Sequence, residues 1–361
     1  MQPQPAVYFR LLFFPSVILL AISAILLPGC GGASSGGTAP AESGGPTPAS
    51  SQNTPAVHPS ANPDNPEPPG QPVKLIFIHH SVGEDWLDDT KGGLGKALMA
   101  DNYFVSDTNY GWGPPDADAG SETIGDHTDI GYWYDWFNGP NSSTYLAALY
   151  SESGEHSGSP YSRLANDPGG ENQVIMFKSC FPNSQLTGAP SDPPATGPNP
   201  LRGQASGSES QSVGNAKGIY RDLLGYFASR QDRLFIVVTA PPLKPAETDA
   251  TAAANARAFN TWLVNDWLAG YPYRNVAVFD LYDVLTSSGG SPEVNDSGSV
   301  AGNHHRYSAG SGTIEYVTSQ GSDFSAYGSQ DSHPTAAGLQ KASDEFVQLL
   351  NISYHRWKGG G

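Results

Sequence analysis

A serine becomes a useful nucleophile only when a base stands ready to take its proton. This chain holds a serine and a histidine at positions where folding would bring such a pair together. Ser81 lies in the run Phe77-Ile78-His79-His80-Ser81-Val82-Gly83, directly after an apolar stretch that reads as a strand. His333 stands in Asp331-Ser332-His333-Pro334, a loop just ahead of the last helical stretch. Asp331 offers a carboxylate to orient the imidazole, with Asp323 or a water as alternatives. The chemistry open to such a set is acyl transfer: the serine attacks an ester carbonyl, the histidine takes its proton and returns it to the leaving alcohol, and water then releases the acid. This chemistry requires no metal and no cofactor.

The order of these residues resembles the SGNH (GDSL-like) hydrolase family. In that family a serine follows the first strand, a glycine the second and an asparagine the third, and an Asp/His pair comes late. Ser81, Gly111 in Asn109-Tyr110-Gly111, Asn183 in Ser179-Cys180-Phe181-Pro182-Asn183, and His333 occupy those places in sequence. Thr239-Ala240-Pro241-Pro242 after the fourth strand extends the likeness over nearly all of residues 73–350. The resemblance implies an α/β three-layer sandwich of SGNH, flavodoxin-like type with long loop insertions. It also implies a serine esterase whose oxyanion hole is formed by the amides of Ser81 and Gly111 and the side chain of Asn183. Two places depart from the pattern. The family's Gly-Asp before the serine is His79-His80 here, and the position three residues before the histidine is Gln330, leaving Asp331 as the nearest acid.

Such a site needs a rigid support, and the hydrophobic pattern supplies one. Residues 73–80, 103–109, 173–178, 234–239 and 275–281 read as five strands, several of them continuous apolar runs of the kind buried on both faces of a parallel sheet. Residues 211–230, 252–268 and 335–350 carry apolar side chains at helical spacing, and Pro334 fits a helix start. Strands alternating with helices imply a parallel sheet covered on both sides. Three long connections, residues 111–170, 182–210 and 286–330, leave from the carboxyl ends of strands, the side on which open α/β sheets bind ligands.

The first of these connections is rich in aromatic residues. Trp112, Trp133 and Trp136 are expected to present faces to a sugar ring, the alternative being a folded aromatic cluster. Residues 126–137 also hold carboxylates and His127, but their spacing fits neither a calcium loop nor the usual zinc sites. His79 and His80 are neighbours on a strand and point to opposite faces. One is expected in the core and the other toward the pocket. His304 and His305 lie in a polar loop, and Cys180 reads as a small core residue.

Residues 1–30 combine Arg10, an apolar run and Leu27-Pro28-Gly29-Cys30, which resembles a secretory signal ending in the lipobox of bacterial lipoproteins. That resemblance makes Cys30 a lipidation site and the membrane a partner through the lipid. Residues 31–72, mostly Gly, Ser, Pro, Ala, Thr and Asn, have little to bury and read as a tether before a domain at 73–361. The expected location is extracytoplasmic, at the cell surface or in the periplasm, and the expected form is a monomer. The formal charge of −17, with 35 acidic against 18 basic residues, argues against nucleic acid, whose phosphates need Lys and Arg. The favoured substrate is an O-acetyl ester of a polysaccharide. A non-catalytic carbohydrate-binding lipoprotein is the main rival, and a lipase or thioesterase with an apolar acyl groove is the second.

Overall fold

The segment Val-Lys-Leu-Ile-Phe-Ile is apolar at almost every position, so it can be stable only with both faces covered, and β1 (Val73–Ile78) is buried throughout. The computed structural model describes residues 64–116, 122–286, 304–317 and 322–359. The expected signal segment, Cys30 and residues 31–63 of the expected tether lie outside the described residues. Along the chain β1 is followed by α1 (Ser81–Leu87), α2 (Leu94–Ala100), β2 (Tyr103–Thr108), α3 (Trp133–Asn138), α4 (Ser142–Ser151) and β3 (Val174–Lys178). Next come α5 (Val213–Ser229), β4 (Leu234–Val238), α6 (Ala250–Asn265), β5 (Val276–Phe279) and α7 (Leu281–Val284). The chain closes with a hairpin of β6 (His304–Ser308) and β7 (Thr313–Val317), and then α8 (Ala336–Lys358).

The five core strands form one all-parallel sheet in the order β2-β1-β3-β4-β5. Alternate residues face opposite layers. Leu75, Phe77, Met176 and Ile236 pack with Trp86, Leu98 and Phe346 from α1, α2 and α8. Ile76, Ile78, Phe177 and Val237 pack with Trp133, Leu149, Phe227 and Phe259 from α3 to α6. Each large side chain so buried contributes about 2 kcal/mol. The fold is therefore the expected α/β sandwich, with strand ends one or two residues shorter than the sequence pattern suggests.

Three features differ from the expected organisation. Residues 64–72 belong to the domain and not to a tether: Asp64 pairs with Arg356 and accepts from the Ile314 amide at 3.0 Å, and Pro66 and Pro69 accept from Asn351 and Asn102, each at 2.8 Å. Their low hydrophobicity concealed a polar docking onto α8. The closing helix runs to Lys358, past the expected residue 350, because Tyr354 and Trp357 continue its apolar stripe. Basic residues in its last turn and Gly359 beyond it suit a helix end. The long connection before α8 contains the antiparallel β6-β7 hairpin.

The junction of β1 and α1 depends on one glycine. A Cβ at Gly83 would lie 2.3 Å from the Cβ of His79, a separation no packing tolerates. Alanine's better helix propensity is worth about 1 kcal/mol, less than the 1–3 kcal/mol typical of overpacking. Gly83→Ala is therefore expected to lower the unfolding free energy by up to about 2 kcal/mol in denaturant titrations. An unchanged midpoint would show that the junction has slack.

Candidate active site

In the order β2-β1-β3 the chain leaves the sheet on either side of β1, which opens a crevice beyond the carboxyl ends of β1 and β3. Ser81 sits there as the first residue of α1, after His80 in extended conformation. The β3 end delivers Cys180 and Asn183. The loop before α8 delivers His333.

These parts meet in a connected chain of hydrogen bonds. The Ser81 hydroxyl lies 2.8 Å from Nε2 of His333, and Nδ1 of His333 lies 2.9 Å from Oδ1 of Asp331. With Nδ1 carrying the proton, the imidazole donates to Asp331 and accepts from Ser81. The two-residue spacing works because the same Asp331 oxygen also accepts from the His333 backbone amide at 2.9 Å. These two bonds, the backbone one first, hold the Asp331 carboxyl below its ordinary range. Asp323 is engaged by Arg257.

The histidine loop is fixed from several directions. Ser332 is fully buried, its hydroxyl accepting from the Lys244 amide at 3.0 Å and donating to Glu247 at 2.5 Å. The Ser329 amide donates to the His333 carbonyl at 2.9 Å, and the Phe181 ring meets the imidazole edge-on at 4.8 Å. A cavity of about 300 Å³ lies beside this loop, lined in part by Phe181, Gln185, Ser206, Leu243 and Glu247.

Both histidines before the serine are buried. His79 is in the core, with Nε2 3.2 Å from Asp107 and Nδ1 2.9 Å from the His80 carbonyl. Burial alone would raise the Asp107 carboxyl, but the hydrogen bond and charge of His79, with further bonds from His156 and Tyr161, bring it below its ordinary value. His80 donates from Nε2 to the Gly125 carbonyl at 2.8 Å and stacks on Tyr110 with ring centroids 3.8 Å apart. Burial is the main cause that lowers its imidazole to about 4, so the ring is neutral at pH 7.

The expected oxyanion donors are differently occupied. The Gly111 amide donates to Asp126 at 2.8 Å, with Gly111 in the left-handed region at φ +73. The Asn183 side-chain amide donates to Asp129 at 2.6 Å and to the Cys180 carbonyl at 3.2 Å, while its oxygen accepts from the Ile130 amide. Asp126 and Asp129 come from the long insertion after β2. Both amides therefore tie that insertion to the sheet.

The tryptophans are a second correction. Trp133 and Trp136 are fully buried and Trp112 nearly so, and their indole N–H groups donate to Ser179, the His127 carbonyl and Glu152. They form the core between the insertion and α5, and Trp133 and Trp136 offer no face to a ligand. The spacing of Trp133, Trp136 and Phe137 on α3 is the sequence signal that could have revealed this. His127 pairs with Glu122 at 2.8 Å and stacks on Tyr132. His305 lies in β6.

Two site residues escaped the sequence reading. Tyr110, whose ring rests on His80, the residue before Ser81, is 60 % exposed. Lys178 is fully buried at the end of β3, with Nζ 3.5 Å from Sγ of Cys180, which in turn lies 3.9 Å from the Ser81 hydroxyl. Burial lowers the Lys178 ammonium. A charged residue closing the apolar run Val-Ile-Met-Phe-Lys was its signal.

No family model matches the chain, and no curated protein matches it. One solved structure does, at 13 % identity and a TM-score of 0.26, over 59 % of this chain. It is described as a carbohydrate esterase whose active site displays divergent catalytic and non-catalytic binding functions. This chain spans 57 % of that structure's length. A likeness of that degree carries no argument here.

The buried His80 has a measurable cost in acid. In the unfolded chain its imidazole binds a proton below pH 6.5, whereas in the folded chain it does so only near pH 4. Stability therefore falls as pH drops through that window, at about 1.4 kcal/mol per pH unit. Between pH 7 and pH 4.5 the native chain is expected to lose about 2 kcal/mol more unfolding free energy than His80→Gln. Equal losses in urea titrations would remove His80 as the cause.

Proposed function

We propose that the chain is a serine esterase that hydrolyses O-acyl esters, with acetate as the favoured acyl group, through an acyl-enzyme on Ser81. The observation that carries this reading is the chain from Ser81 to His333 to Asp331, with contacts of 2.8 and 2.9 Å. Ser81 attacks the ester carbonyl while its proton passes to Nε2 of His333, and Asp331 stabilises the resulting imidazolium. The leaving alkoxide takes that proton, and a water activated by the same imidazole releases the acid.

Acetylated polysaccharide is the substrate class we favour, on narrower grounds than the sequence offered, because the tryptophans are buried. Its remaining support is the exposed Tyr110 ring beside Ser81 and the Ser- and Gly-rich loops around the crevice. A second reading, a carbohydrate-binding protein without catalysis, draws on the committed amides of Gly111 and Asn183. We further propose that Cys30 carries a lipid that holds the domain at an extracytoplasmic membrane surface, where it acts as a monomer.

The test is hydrolysis of 4-nitrophenyl acetate by the full chain and three variants of matched folded content. Ser81→Ala and His333→Ala are expected to fall by at least about 10³-fold, and Asp331→Asn by about 10²- to 10⁴-fold. A wild-type rate equal to that of Ser81→Ala, on this ester and on acetylated xylan alike, would reject the esterase and favour the binding protein.

A further inference from the structure

In an acyl transfer the leaving alcohol must lie beside the acid that protonates it, so the alcohol half of the ester stands next to His333. The cavity of about 300 Å³ by the histidine loop adjoins both members of the catalytic pair. Its wall residue Phe181 meets the His333 ring at 4.8 Å and directly follows Cys180, whose Sγ lies 3.9 Å from the Ser81 hydroxyl. Another wall residue, Glu247, accepts from Ser332, the neighbour of His333 in the chain.

The lining is of two kinds. Phe181, Pro182 and the buried Leu243 form apolar walls, and Gln185, Ser206 and Glu247 add polar groups. The Gln185 main chain is tied to Pro182 and Gln211, and the Ser206 amide donates to Asp129 at 2.7 Å. The Gln185 side-chain amide and the Ser206 hydroxyl, by contrast, have no hydrogen-bond partner among the described residues. Two fixed stretches of backbone thus present two uncommitted polar side chains to one small cavity. Glu247 is held below the ordinary carboxylate range, first by the Ser332 hydroxyl and also by Lys244, so it is ionised at neutral pH.

Apolar walls with a few polar groups are the usual make-up of a small-molecule site, and about 300 Å³ is the small end of the size range. A sugar ring matches this make-up. Its C–H face suits Phe181 and Leu243, and its hydroxyls suit an amide and a hydroxyl that both donate and accept. An alkyl alcohol would leave those groups without partners, and an anionic alcohol would meet the Glu247 carboxylate.

Resting on the esterase reading above, we propose that this cavity binds the leaving alcohol, a single uncharged sugar ring that carries the ester, with Gln185 and Ser206 hydrogen-bonding its free hydroxyls. When the tetrahedral intermediate collapses, the bond from the acyl carbon to the sugar oxygen breaks, and that oxygen takes the proton from Nε2 of His333. The acyl group stays on Ser81. Selectivity for the alcohol is therefore carried by the connections that follow β3 and β4.

The test compares a monoacetylated methyl xyloside with ethyl acetate, which share the acyl group and differ in the alcohol. In the full chain the ratio of kcat/KM for the sugar ester to that for ethyl acetate is expected to be at least about 10². Gln185→Ala and Ser206→Ala are each expected to lower this ratio about three- to tenfold, through KM more than kcat, as befits loss of one hydrogen bond. Gln185→Trp, which fills the cavity from its rim, is expected to abolish the preference. Denaturant midpoints are expected to match the wild type, since neither side chain is bonded within the fold. An active wild type without preference for the sugar ester, or a ratio unchanged in all three variants, overturns the role of the cavity and leaves the esterase intact. A wild type no faster than Ser81→Ala on both esters and on 4-nitrophenyl acetate overturns the esterase and this role together.

Discussion

In the parallel sheet β1 is paired on both edges, with β2 on one side and β3 on the other. A strand so placed can grow no further sideways, and its neighbours must feed chain away in opposite directions. The gap that opens beyond its carboxyl end is a consequence of connectivity alone. Ser81 enters that gap because α1 starts three residues past the last residue of β1, and His333 reaches it because α8 starts on the same side. Everything polar in the site is arranged around this fixed geometry. The hydrogen bond from Ser81 to His333 closes a separation of 252 residues, so the nucleophile is complete only when the whole sheet has formed.

The residues legible in the sequence are those whose position follows from local pattern. A residue within a few positions of the end of an apolar run lies beyond a strand's carboxyl end, and Ser81, Gly111 and Asn183 are of that kind. His333 ahead of an amphipathic helix is legible for the same reason. What could not be read is which hydrogen bonds those groups already make. That depends on Asp126 and Asp129, carried in by an insertion whose path no local rule predicts. Asp331 is legible only as one of several acids, beside Asp323, because the choice turns on a tight loop in which one carboxylate oxygen takes both the amide and the ring of His333. Composition left the tryptophans open between a sugar-facing surface and a folded cluster, whereas the spacing of Trp133 and Trp136 on α3 indicates a core face.

The site also contains a costly arrangement. Lys178 is removed from water, and its hydrogen-bond partner among the described residues is a thiol. An ionised group in such surroundings costs several kcal/mol unless it is well paired. Asp107 illustrates the compensated alternative, with His79, His156 and Tyr161 around its carboxylate. The two buried ionisable groups lie on β2 and β3, the strands that flank β1, one generously paired and the other sparingly. Uneven pairing of this sort is commonest where a fold gives up stability for function.

The docking of residues 64–69 against α8 has a mechanical consequence. Because α8 begins beside His333 and runs back across the sheet, its last turns lie at the amino ends of the strands, opposite the crevice. Tension applied along the chain from its amino-terminal side would first meet the clasp of Asp64 with Arg356 and of Pro66 with Asn351. Those bonds tie residues 64–66 to a 23-residue helix ahead of β1 in the chain. The domain thus has a clasp at the end remote from its chemistry, through which a pull on the chain is shared with α8 as well as β1.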